Sequence, residues 1–230
     1  MVMEAPATEV TAINVLIEPD EAARSRARDL NARLRKTMPE GFAFDATHAP
    51  HITVLQRYVR TPELDNVMDA VGAVVAGADL TALELHATTI AHAEWDTPGT
   101  GMASLLLGRD PRLLALQGRL IAAVAPFASP KGTGEAFATD PDEPGINSTT
   151  IAYVARFVPE HCASNYEAHL SIGLGRRGDL EAVEAEPFEP FDVRAEAAAV
   201  FQLGNDGTAR RRLRTWPVPE VERPLPARGR

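Results

Sequence analysis

Two periods of apolar and polar positions alternate along the chain. The β-branched run "TAINVLIEP" (residues 11–19) reads as a strand, and "DEAARSRARDLNARLRK" after it as a surface helix. Its acidic residues precede its basic ones, as the helix dipole prefers, and Ala22, Leu30 and Leu34 supply a narrow buried face. "PHITVLQRYV" (50–59) predicts a second strand. Thr61 as an N-cap and Pro62 at the first helical position then open a helix along which Leu64, Val67, Met68, Val71, Val74 and Val75 form one stripe. "LTALELHATTIAHAEW" and "MASLLLGR" predict a hairpin about the turn-forming "DTPGTG". Leu113, Leu116, Leu120, Ile121 and Val124 recur at helical spacing and predict a third helix ending at Pro126.

The periodicity then lapses. Residues 129–149, "SPKGTGEAFATDPDEPGINST", are rich in Gly, Pro, Asp and Thr and offer little to bury, which predicts a flexible lid. Strand character returns in "TIAYVARFV" and "YEAHLSIGLG", "RGDLEAVEAE" reads as a short helix, and "VRAEAAAVFQLGNDGTARRRLRTWPV" as a hairpin turned at Asn205 to Gly207. Strands and helices are interleaved in a chain long enough for one large domain or two small ones, between a flexible segment at 1–9 and a loose Pro- and Arg-rich tail at 217–230.

Within that pattern one element recurs. "HITVL" at 51–55 and "HLSIGL" at 169–174 both read His, apolar, hydroxyl, apolar. Strand side chains alternate faces, so His51 with Thr53, and His169 with Ser171, share a front while Ile52, Val54, Leu170 and Ile172 form a back. Cleaving a phosphodiester needs one group to take a proton from the attacking oxygen and another to give one to the leaving oxygen, and imidazole does either near neutrality. Hydroxyls on the same face are suited to hydrogen-bond the non-bridging oxygens. Either histidine alone is an ordinary strand residue; the weight lies in the pair and its spacing.

Two such motifs 118 residues apart, amid alternating strands and helices, resemble the 2H phosphoesterase superfamily, with its bacterial 2′-5′ RNA ligase branch and cyclic phosphodiesterases. The resemblance covers most of residues 10–216, with Ser171 where Thr is commoner. It implies a bilobal α+β fold of two pseudo-symmetric lobes, each with an antiparallel sheet and outer helices, around a central groove. It implies catalytic roles for His51 and His169 and phosphate binding for Thr53 and Ser171, with no metal or other cofactor. The expected activity is hydrolysis of 2′,3′-cyclic or 2′,5′-linked nucleotide phosphodiesters; RNA end joining, or nucleotide binding without catalysis, are the alternatives. Arg57, which shares the parity of His51 and Thr53 if the strand stays regular, Tyr166 and Arg176 are candidates for substrate binding. Tyr58, Tyr153 and Phe157 are further possible stacking surfaces.

Composition narrows the partners. A net charge of −9 and a pI near 5.2 argue against long nucleic acid and leave a small nucleotide or short RNA end. No run approaches the roughly 18 apolar residues of a membrane span, the N-terminus lacks secretory-signal features, and the single cysteine, Cys162, fits a reducing compartment, so a cytoplasmic location is expected. A metal site is disfavoured: Pro50 forbids a helix that would join His48 to His51, and His86 and His92 fall about 20 Å apart at strand rise. The basic run "ARRRLR" reads either as positive potential near the groove or as a charged edge strand. Oligomeric state is not legible.

Overall fold

The computed structural model describes residues 9–45, 47–141 and 143–219. The expected loose ends at 1–9 and 217–230 fall outside these residues except at Glu9 and 217–219. Eight strands, β1 (Val10–Pro19), β2 (Ile52–Arg60), β3 (Leu85–Glu94), β4 (Thr100–Leu107), β5 (His169–Arg176), β6 (Phe191–Val193), β7 (Ala195–Leu203) and β8 (Ala209–Pro217), form one antiparallel sheet in the order β6-β3-β4-β5-β2-β1-β7-β8. Two four-stranded halves meet at β5 and β2, where one residue pair, Ile52 opposite Leu170, joins them. The helices are α1 (Glu21–Leu34), α2 (Leu64–Ala76), α3 (Pro111–Val124), α4 (Ser148–Glu160) and α5 (Arg177–Glu184). The path β1-α1-β2-α2 in one half is echoed by β4-α3-α4-β5-α5 in the other. This is an α+β fold with two related lobes, and each motif strand lies at the inner border of its lobe. Among the described residues, no helix is long and apolar enough to cross a membrane.

Local chemistry explains the helix starts. Asp20, Asp110 and Asn147 each place a side-chain oxygen on a free N–H of the first turn, that of Ala23, Arg112 and Thr150 respectively. The buried face of α1 is Ala23, Ala27, Asn31 and Leu34, not the expected Ala22, Leu30 and Leu34, because small alanines let the helix approach the sheet and a polar residue is included. α1 lies across β5, whereas α3 and α4 lie across β2, so each lobe's helices cover the other lobe's motif strand.

Two sequence expectations change. "TIAYVARFV" is the helix α4, not a strand: its β-branched residues suggested a strand, but the Asn147 cap and the buried spacing of Thr150, Val154 and Phe157 are helical. The segment expected to be a lid is a packed connection. Ala136 and Phe137 enter a small second core with Ala12, Tyr58, Val154 and Leu203; Ala138 N–H donates to Leu203 O at 2.8 Å, and Gln202 Nε2 donates to Ala136 O at 3.0 Å. The run "ARRRLR" lies on the edge strand β8 and is largely matched by carboxylates: Arg210 with Asp140, Arg212 with Glu18, Arg214 with Asp69.

Candidate active site

The pair Ile52–Leu170 fixes the site. Residues opposite one another in an antiparallel pair share a face. That single rung brings His51 and Thr53, which flank Ile52, beside His169 and Ser171, which flank Leu170. All four side chains are half-buried and line one cleft of about 320 Å³. The structure thus brings together the four motif residues on the face that strand alternation predicted.

Both imidazoles are held in the same way. Nδ1 of His51 lies 2.8 Å from Ala49 O, and Nδ1 of His169 lies 2.8 Å from Glu167 O. A carbonyl oxygen only accepts, so each Nδ1 carries a proton and, in the neutral ring, each Nε2 is an acceptor. Their surroundings then differ. Asn14, fully buried on β1, donates from Nδ2 to His51 Nε2 at 3.0 Å and to Thr53 Oγ1 at 3.2 Å. Burial pushes the pKa of His51 down to about 4; the Ala49 hydrogen bond opposes that shift, and the positive charge of His169 adds to it. Beside the second motif, Ser104, the register partner of Ser171, sets its hydroxyl 3.5 Å from Ser171 Oγ.

The other candidates fall differently. Tyr166 lines the cleft but is 8% exposed, and its hydroxyl donates to Thr53 O at 2.7 Å, so it braces the first motif strand. Arg57 turns away: its Nη1 faces Ile121 O of α3 at 3.5 Å. The reason is a β-bulge. Leu16 pairs with Thr53 but Val15 pairs with Leu55, so Val54 has no partner on β1 and the alternation shifts by one beyond it. Gln56, not Arg57, faces the cleft. Arg176 is exposed at the far end of β5, opposite Thr100, and does not line the cleft.

Several lining residues escaped the sequence reading, namely Gln56, Ser104, Phe42, Phe44 and Trp95, as did Asn14 buried behind the first motif. Tyr153, Phe157 and His161 form an aromatic wall on α4 and just past its end; the rings of Tyr153 and His161 stack with centroids 4.5 Å apart, and Trp95 meets Tyr153 edge-on at 5.6 Å. Their four-residue spacing was the available signal, visible once the segment is read as a helix. Trp95 is anchored by an Nε1–H···Oδ1 bond of 2.7 Å to Asp206 at the tip of the β7–β8 turn. Tyr58 is not part of this wall; it lies in the second core and donates to Ile151 O at 3.0 Å. No Lys or Arg is among the described lining residues, and five of the six histidines are. Among the described residues, no group of three or more His, Cys, Asp or Glu is placed to hold a metal ion.

No family model matches the chain, and no curated protein does. Solved structures similar to it include that of E. coli LigT complexed with phosphate, 14% identical with a TM-score of 0.44, covering 93% of this chain and 100% of that one. LigT complexed with 3′-AMP is likewise 14% identical, with a TM-score of 0.41, covering 93% of this chain and 100% of that one. At that level of likeness no residue role passes from LigT to this chain.

Proposed function

We propose that the protein is a 2H-type phosphoesterase acting on 2′,3′-cyclic or 2′,5′-linked nucleotide phosphodiesters without a metal ion. The observation that carries this reading is the Ile52–Leu170 pair, which sets two His-x-hydroxyl motifs on one face of one cleft. In a cyclic substrate the attacking water displaces the Asn14 N–H from Nε2 of His51 and loses its proton there as its oxygen bonds to phosphorus, the P–O bond to the leaving sugar oxygen breaks, and Nε2–H of a doubly protonated His169 passes its proton to that oxygen. The product is a phosphomonoester. His51 is the base because it is neutral above about pH 4, and the mutual repulsion of two imidazolium rings favours one shared proton. Thr53, Ser171 and Ser104 donate to the non-bridging oxygens as charge builds there. The aromatic wall of Trp95, Tyr153 and His161 suits a stacked base.

His51→Ala and His169→Ala should each lower turnover of a 2′,3′-cyclic nucleotide by ~100- to 10,000-fold, with wild-type activity unaffected by chelators. A variant of either histidine turning over at the wild-type rate would refute the assignment. End joining uses the same groups in the same sense, with an RNA 5′-hydroxyl in place of water; incubating short oligonucleotides that carry cyclic ends separates joining from hydrolysis. Nucleotide binding without catalysis is the remaining alternative; the 129–149 segment reaches the rim of the cleft, where Glu143 lies 3.6 Å from His48 and Asn147 donates to Asp206 at 2.8 Å, and tight nucleotide binding that survives His169→Ala with no turnover would favour it. A cytoplasmic location accords with the single, buried cysteine.

A further inference from the structure

Both motif strands are interrupted at the same place. Val54 has no partner on β1, and on the other side Ser104 pairs with Ser171 and Ala103 with Gly173, which leaves Ile172 without a partner on β4. Val54 and Ile172 each stand three residues after their histidine, and both are fully buried. A buried carbonyl outside the ladder needs another donor. In both cases the donor is a side-chain amide from a helix of the opposite half. Gln117 Nε2, on α3, donates to Val54 O at 3.0 Å; Asn31 Nδ2, on α1, donates to Ile172 O at 3.0 Å.

The other end of each amide is also matched. Gln117 Oε1 accepts from Ala163 N–H at 3.0 Å, and Asn31 Oδ1 accepts from Phe44 N–H at 3.3 Å. Ala163 and Phe44 lie on the segments that lead into His169 and His51. Each amide therefore ties one motif strand to the approach of the other, from a position 1% and 3% exposed respectively.

We infer that Gln117 and Asn31 are crossed positioning residues: each half of the molecule sets the pose of the other half's His-x-hydroxyl pair. The kinetic consequence rests on the two-histidine reading above; the structural one does not. An apolar residue of similar volume would leave a buried carbonyl and N–H unpaired, and the bulge would relax towards a regular ladder, in which the parity of the strand changes. Displacements near 1 Å at reacting groups cost about a hundredfold in rate.

The test uses Gln117→Met and Asn31→Leu in the full chain. Ring resonances of His51 and His169, and backbone amides of Thr53 and Ser171, are followed by NMR alongside kcat and KM on a 2′,3′-cyclic nucleotide. Gln117→Met should perturb His51 and Thr53 at least about twofold more than His169 and Ser171, and Asn31→Leu should do the reverse. Turnover should fall about a hundredfold with KM within about threefold of wild type. Equal perturbation of both motifs by either variant, or none in a folded variant, overturns the inference. If the wild type turns over no phosphodiester, the functional reading fails while the crossed resonance pattern still decides this one. Should the apolar variants not fold, Gln117→Ala and Asn31→Ala remove the donor and leave room for water in its place, and the same crossed pattern is required of them.

Discussion

Asn14 reaches both members of the first motif, and its effect is a matter of proton bookkeeping. Its Nδ2–H on His51 Nε2 stabilises the neutral ring, in the same direction as burial, which brings the pKa to about 4. Replacing it by leucine removes that donor, so the pKa of His51 should rise and the acid limb of kcat/KM against pH should move upward from about pH 4. An unmoved limb in Asn14→Leu would show that burial alone holds the ring neutral. The same shift predicts a stability effect: the unfolded chain binds a proton near pH 6.5 that the folded chain refuses until about pH 4, so stability falls as pH is lowered across that window. His51→Gln should flatten the decline, as read by thermal unfolding at pH 5 against pH 7. Asn14 was invisible beforehand because a polar residue within an apolar strand carries no signal of what faces it.

At the scale of the element, glycine marks where the second motif strand bends. Gly173 follows the unpaired Ile172 with φ +147°, and a Cβ there would come within 2.8 Å of Asn31 Nδ2. Gly173→Ala should therefore destabilise by about 1–3 kcal/mol. Gly178, inside α5 with nothing near its missing Cβ, should gain about 0.5–1 kcal/mol on the same change. Opposite signs in chemical denaturation are expected, and a loss at both positions would point to a generally intolerant fold. The strands β1 to β5 and helices α1 to α3 were legible because the strands are short apolar or alternating runs bounded by turn formers and the helices carry apolar residues at helical spacing. What failed were features decided at long range. The bulge at Val54, which turned Arg57 away, depends on pairing with β1, and α4 was mistaken for a strand because Ile151, Val154 and Val158 are β-branched while its cap and packing partners lie elsewhere. The 129–149 segment looked solvent-borne because its two anchoring apolar residues, Ala136 and Phe137, sit among turn formers.

Over the whole molecule, an acidic chain of net charge −9 carries a cleft with no described Lys or Arg in its lining and five histidines. Attraction for an anion then rests on N–H and O–H donors and on any proton taken up as the anion binds. Sulfate, whose charge is constant over the range, should bind more tightly as pH falls from 8 to 5, by up to about tenfold per pH unit for each proton taken up on binding. Calorimetry in buffers of different ionisation heat would count those protons, and a flat profile would place the attraction in hydroxyls and backbone dipoles instead.

The seam between β2 and β5 has one further consequence. Every other pair of neighbouring strands is stitched by three residue pairs or more, but here the two lobes' strands share a single rung, and the four motif side chains straddle it. An anion gripped from both banks is therefore a rivet as well as a guest: its binding energy is spent where the sheet's own hydrogen bonding is thinnest, and occupancy stabilises the fold by RT ln(1 + [L]/Kd).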